Sequence, residues 1–258
     1  YWWASKLGGA KAGYYTGWLN LIGLVAVTAS VGYGAASFLN IVLGALSPSY
    51  GTGFMGGDYI KQQFVLFLII MVLITVINIF SSHLLAVINN ISVWWHVFGA
   101  AVVVAILLLV PDQHQSFKWM FTERINNSGF SDHAYWLYVL PLGFLLTQYT
   151  ITGFDASAHL SEETQQAHMS AARGIWQSIW YSAIGGYILL LSFLYVATKT
   201  DVINSFDPKV NPYGGGSIIA VLWTALGDGI WFKLLMIITT SGQLFCVTAC
   251  LTSCSRMM

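Results

Sequence analysis

Long apolar runs separated by short polar stretches dominate the chain, and six of them are long enough to cross a bilayer. A helical crossing takes about 20 apolar residues. The runs lie near 14–46, 63–82, 93–110, 135–158, 175–198 and 230–255. Stretches such as QFVLFLIIMVLITVINIFSS at 63–82 and VWWHVFGAAVVVAILLLV at 93–110 are continuous and do not alternate. That pattern predicts helices and argues against a β-barrel. The first run is long and rich in Gly, Ser and Thr. A shorter apolar piece at 217–226 cannot span and is expected at the membrane interface.

Composition sets the solvent. Of 258 residues, 57% are hydrophobic and 8% charged. Soluble domains carry roughly 25% charged residues, so this chain has too little polar surface to coat a body in water. The expected fold class is an all-α membrane protein with six transmembrane helices, in a plasma or organelle membrane. Ten basic and ten acidic residues cancel, which suggests neither a nucleic-acid partner nor a polybasic surface patch. Charge does not orient the chain. With cytoplasmic termini, Lys6, Lys11, Arg173 and Arg256 fall inside and Lys61, Lys118, Arg124, Lys199 and Lys209 outside. Sequons at Asn90 and Asn126 lie one span apart, so they do not share a lumenal face.

Cys246, Cys250 and Cys254 stack on one helix face, as a soft-metal set or as small residues at a helix seam. Residues 1–12 lack the charged-then-apolar order of a secretory leader. The chain starts without Met and stops at Met258 directly after an apolar helix, so both ends read as cut.

The fourth run is irregular. Residues 147–164 read TQYTITGFDASAHLSEET, placing Gln148, Thr150, Thr152, Gly153 and Asp155 inside an apolar stretch. A carboxylate within a span is costly, and Gly beside Thr loosens the helix. One reading is a broken helix whose released N–H and C=O groups hold a charged solute. The other is that Asp155 has reached the interface and ends the helix, with Glu162 and Glu163 in a solvated loop.

The stretch YTITGFDASAHLSEET at 149–164 resembles the sixth helix of permeases of the amino acid–polyamine–organocation superfamily, and most resembles the amino-acid/GABA permease branch. YWWASKLGG at 1–9, TGWLNLIG at 16–23 and VTASVGYGAASF at 27–38 resemble the approach to helix three and helix three itself. INNISVWWHV at 88–97 resembles the start of helix five, and GQLFCVTACLTSCSRMM at 242–258 resembles helix eight. The resemblance implies helices three to eight of a twelve-helix fold with paired five-helix inverted repeats. The family's other broken helix, the first, lies outside the matched stretch.

By this resemblance Tyr149 is the aromatic that closes over the substrate. Thr150, Thr152 and Gly153 form the unwound turn, and Asp155 is the acid below it. Tyr149 also reads as a plain packing aromatic. His96 takes the register where proton-coupled relatives carry a helix-five lysine, and an imidazole changes charge near neutral pH as a coupling group must. It also reads as an interfacial residue. Thr28, Ser30 and Tyr33 on helix three line a pathway or sit beside the packing glycines Gly23, Gly32 and Gly34. Thr248, Thr252 and Ser253 on helix eight are hydroxyls near a possible ion position, or bond their own helix. Against the family pattern, QQAHMSAARG at 165–174 lacks a proline, and GGGSIIAVLWTALG at 214–227 replaces a more polar stretch.

The resemblance implies secondary transport of an amino acid or GABA-like amine with protons, no cofactor and no chemistry on the substrate. Two alternatives stand beside it. One is a truncated permease fragment that keeps the fold of the middle six helices without transporting. The other is a membrane-embedded metal enzyme built on Asp155, His159, Glu162, Glu163 and His168, although these lack the two-His helical spacing of a zinc hydrolase.

Overall fold

In lipid every backbone N–H and C=O must be satisfied within the chain, and a helix does this segment by segment. The computed structural model describes residues 2–257 except 81, 127, 160, 162, 163, 165, 199–202, 206, 208, 210 and 215. Among the described residues there are helices and no strand.

In chain order these are α1 (Trp2–Leu46), α2 (Pro48–Gly53), a 3₁₀ turn (Phe54–Gly57), α3 (Tyr59–Phe80) and α4 (Ser82–Leu109). They are followed by α5 (Phe117–Thr122), α6 (Asp132–Ala134), a π-helical turn (Tyr135–Val139), α7 (Leu140–Ile151) and α8 (Ala156–His159). The last are α9 (Ala167–Val196), α10 (Ser217–Leu226) and α11 (Ile230–Met257). Six helical stretches are long and apolar enough to cross a membrane: most of α1, α3, α4, the interrupted stretch Asp132–His159, α9 and α11. Helix starts follow local chemistry. The Asp58 carboxylate accepts the backbone N–H groups of Ile60 and Lys61 at 3.1 and 3.2 Å and so begins α3. Hydrogen bonding and charge from Lys61 hold that exposed carboxyl below its usual range.

The described chain falls into two compact units. The first holds Tyr1–Leu43, Ser47–Trp95 and Thr239–Met258, and the second Gly44–Leu46 and His96–Ile238. In the first, Val31, Ala35 and Ala36 of α1 meet Leu66, Ile70 and Ile74 of α3 and Val247 of α11. Lipid tails are as apolar as these side chains, so close backbone approach drives such packing. Gly32 permits it: a Cβ there would lie 2.9 Å from Met71 Sδ, 3.1 Å from Phe67 and 3.4 Å from Val247. At Gly23 and Gly34 nothing lies within 4 Å, so only Gly32 of that trio is a packing glycine. A polar tie joins α3 to α11. Asn78 donates to its own helix at Ile74 O (3.0 Å) and offers Oδ1 to the Thr252 hydroxyl at 2.8 Å.

In the second unit, Phe232 and Leu235 of α11 and Ile219 and Leu222 of α10 are fully buried. Tyr213, Trp223 and Phe232 form an aromatic cluster, with Tyr213 stacked on Phe232 at 5.7 Å and Trp223 edge-on at 5.5 Å. Within α10 the four consecutive residues Ile219–Leu222 are buried, while Ser217, Ile218 and Thr224 are exposed.

Candidate functional site

The interrupted stretch Asp132–His159 lies in the second unit and is broken twice. Upstream, Pro141 has no N–H to give to the preceding turn. The chain absorbs this with the π-helical turn, in which the Leu140 N–H reaches Tyr135 O. Downstream, α7 stops at Ile151. Thr152 leaves helical space at φ −62°, ψ 140°, and Gly153 turns to φ +88°. A Cβ on Gly153 would meet nothing within 4 Å, so it is the backbone angle and not lack of room that demands glycine here. The Thr152 N–H donates to Tyr149 O (3.1 Å) and its hydroxyl to Gln148 O (3.0 Å), closing the end of α7. The Ala156 N–H donates to Gly153 O at 3.0 Å and opens α8. Residues 152–155 therefore stand outside a regular helix within an apolar stretch.

Both halves of the break are held by α9. The Thr150 methyl lies 3.0 Å from where a Gly186 Cβ would sit, so α7 approaches α9 closely at that point. Ser157 faces Gly174 in the same way, and its hydroxyl donates to Ala171 O at 3.2 Å. Tyr149, Thr152 and Gly153 are exposed, and Asp155 is half-buried. The expected residues 149–155 thus share one continuous turn. His96 lies on another helix, α4, where it is exposed.

One contact was not anticipated for a transport site. His159 Nε2 lies 3.1 Å from Asp155 Oδ2, at helical i,i+4 spacing. That spacing is legible in the sequence as a pairing signal. An apolar cavity of about 320 Å³, lined by Leu108, Phe117, Met120, Leu191 and Tyr195, includes none of the residues of the break.

In the first unit, the hydroxyls of Thr28 and Thr248 each donate to their own helix at 2.8 Å, to Leu24 O and Leu244 O. Thr252 is divided between Thr248 O and Asn78 Oδ1, both at 2.8 Å. Among the described residues Ser253 Oγ, which is buried, has no hydrogen-bond partner. Tyr33 is exposed and edge-on to Phe67 at 6.1 Å, and Ser30 is exposed.

Among the described residues no three His, Cys, Asp or Glu side chains are placed to share a metal. His168 is exposed on α9, and Glu162 and Glu163 lie outside the described residues. The three cysteines are unbridged, with Cys246 and Cys250 packed against the core of the first unit.

The amino acid permease family matches residues 1–258. Amino-acid permease BAT1 of Arabidopsis thaliana is 31% identical over 268 residues, covering all of this chain and 50% of that protein. The Amino-acid permease BAT1 homolog of Oryza sativa subsp. japonica is 32% identical over 270 residues, with the same coverage. Polyamine transporter TPO5 of Saccharomyces cerevisiae is 24% identical over 247 residues, covering 94% of this chain and 38% of that protein. The chain spans about half the length of the first two of these relatives. No solved structure matches it. The family and these relatives are permeases and transporters, not enzymes, which removes the metal-enzyme alternative. By sequence match along its whole length and by its six apolar helices, this multi-pass integral membrane protein belongs to the amino acid permease family.

Proposed function

We propose that the chain supplies the broken-helix half of a substrate site in a secondary transporter for an amino acid or a GABA-like small amine, coupled to protons. The observation that carries this reading is the break at Thr152–Gly153, inside an apolar helix and one turn from a carboxylate. Backbone groups released from the helical ladder complement both ends of a zwitterion. Asp155 complements the ammonium, Thr150, Thr152 and Gly153 frame the turn, and Tyr149 closes over it. Relatives named for amino acids and for polyamines share amine-bearing substrates, which supports the same chemistry here.

Uptake of radiolabelled GABA by the gene's complete product in a transport-deficient yeast, competed with leucine and arginine, tests the reading. One of these amines should accumulate. Asp155→Asn should weaken its apparent affinity about tenfold, since a charge-assisted hydrogen bond contributes about 1.5–3 kcal/mol. Failure of all three to enter above vector background sinks the proposal.

His96 is the proposed proton-coupling group. His96→Ala should abolish uptake driven by a pH gradient while leaving substrate exchange intact, and unchanged gradient-driven uptake would remove it from that role. A second reading, a chain that keeps the fold without transporting, draws on the half-length match. It expects no uptake into proteoliposomes that hold the 258-residue chain alone.

A further inference from the structure

We infer that His159 is a positioning residue for Asp155, and that its protonation state sets how strongly the break binds an amine; this rests on the reading of Asp155 as the ammonium partner. The geometry is fixed from both sides. The Asp155 carbonyl accepts the backbone N–H groups of Ala158 and His159 at 2.8 and 3.4 Å, which holds the two side chains at i,i+4 spacing. Ser157, between them, is bonded to Ala171 O of α9. The imidazole sits on Asp155 Oδ2 at 3.1 Å. Exposure divides the pair: the His159 side chain is 12% exposed and that of Asp155 32%. Of the two, the carboxylate is the more accessible and the imidazole the more enclosed.

A neutral imidazole donating Nε2–H to Oδ2 leaves the pair with one net negative charge, suited to an ammonium ion. An imidazolium in the same place cancels that charge. Amine and proton then compete for one carboxylate, and each weakens the other by the same factor. Amine affinity should therefore be weaker in acid than at neutral pH. Of the charged residues that follow the pair in the chain, His168 and Arg173 are exposed on α9, and Glu162 and Glu163 lie outside the described residues.

Equilibrium binding to the detergent-solubilised complete gene product, with no gradient, tests this from pH 7.5 to 5.5. The probe is whichever of radiolabelled GABA, leucine and arginine is taken up best. The parent should lose at least about fivefold in affinity over that interval. His159→Gln, which still donates to Asp155 but does not titrate, should stay flat within about twofold and bind like the parent at pH 7.5. His159→Ala should also be flat but weaker at every pH, because the carboxylate loses its aim. His168→Gln should keep the parental slope. A parental slope in His159→Gln, a flat parent, or a slope abolished by His168→Gln overturns the inference. If Asp155→Asn binds as the parent does, the broader reading fails with it. If Asp155→Asn weakens binding while His159→Gln keeps the slope, only the role of His159 falls.

Discussion

Replacing Gly153 by valine lowers uptake roughly 10- to 100-fold per molecule while leaving the protein in the membrane. Glycine stands there at φ +88°, which a β-branched residue reaches only under strain. Such strain costs about 1–3 kcal/mol, and each 1.4 kcal/mol is about a factor of ten. An added Cβ would find open space, so the cost does not come from a clash and does not threaten packing. The chain relieves it by moving the turn, and the backbone groups proposed to hold the substrate move with it. Gly143 is the control, because it also has open space around it but lies within α7 without a left-handed angle. Gly143→Val should keep most of the uptake. Uptake normalised to membrane-inserted protein reads both variants, and equal loss in the two would show that the turn at Gly153 has no special role.

The second large effect is on stability. Phe232→Ala should destabilise the second unit by about 3–5 kcal/mol, the usual range for removing a fully buried aromatic. Phe232 has 0% exposure and is sandwiched in the cluster with Tyr213 and Trp223. Truncation opens a cavity that rigid aromatic neighbours cannot fill. Phe232→Leu keeps part of the volume and should lose less. Melting in detergent, followed by tryptophan fluorescence, should show a drop of several degrees for alanine and a smaller one for leucine. A melting temperature within a degree of the parent's would mean that the cluster does not support the fold. A spectroscopic change accompanies the loss. Burial pushes the Tyr213 hydroxyl above its ordinary range, with Asp228 adding to the effect, so opening the cluster should bring that titration back down.

The break at 149–155 was legible because several local signals coincide there. Thr152 and Gly153 weaken the helix, and a carboxylate follows within an apolar run. The π-helical turn before Pro141 is not legible in hydropathy, because a span of continuous helix absorbs one proline without a change in that pattern. The pairing of Asp155 with His159 is visible as i,i+4 spacing, which by itself does not separate a positioning contact from part of a metal set. For the short apolar helix 217–226, length tells whether it can span but not what surrounds it.

Residue order alone shows that lipid is the solvent, that the chain is helical with six runs long enough to cross, and that one of them is interrupted. Each of these follows from residues close together in the chain, through composition, run length and the backbone limits of glycine and proline. Tertiary structure decided which small residues are seams and which hydroxyls are engaged. Gly32 lies against Met71 and Phe67, whereas Gly23 and Gly34 face open space, and the Thr252 hydroxyl reaches across to Asn78 of another helix while Thr28 and Thr248 turn back on their own. The physical reason is that a helical residue's spacing fixes its face, but the helix lying opposite that face is set by packing between segments far apart in the chain.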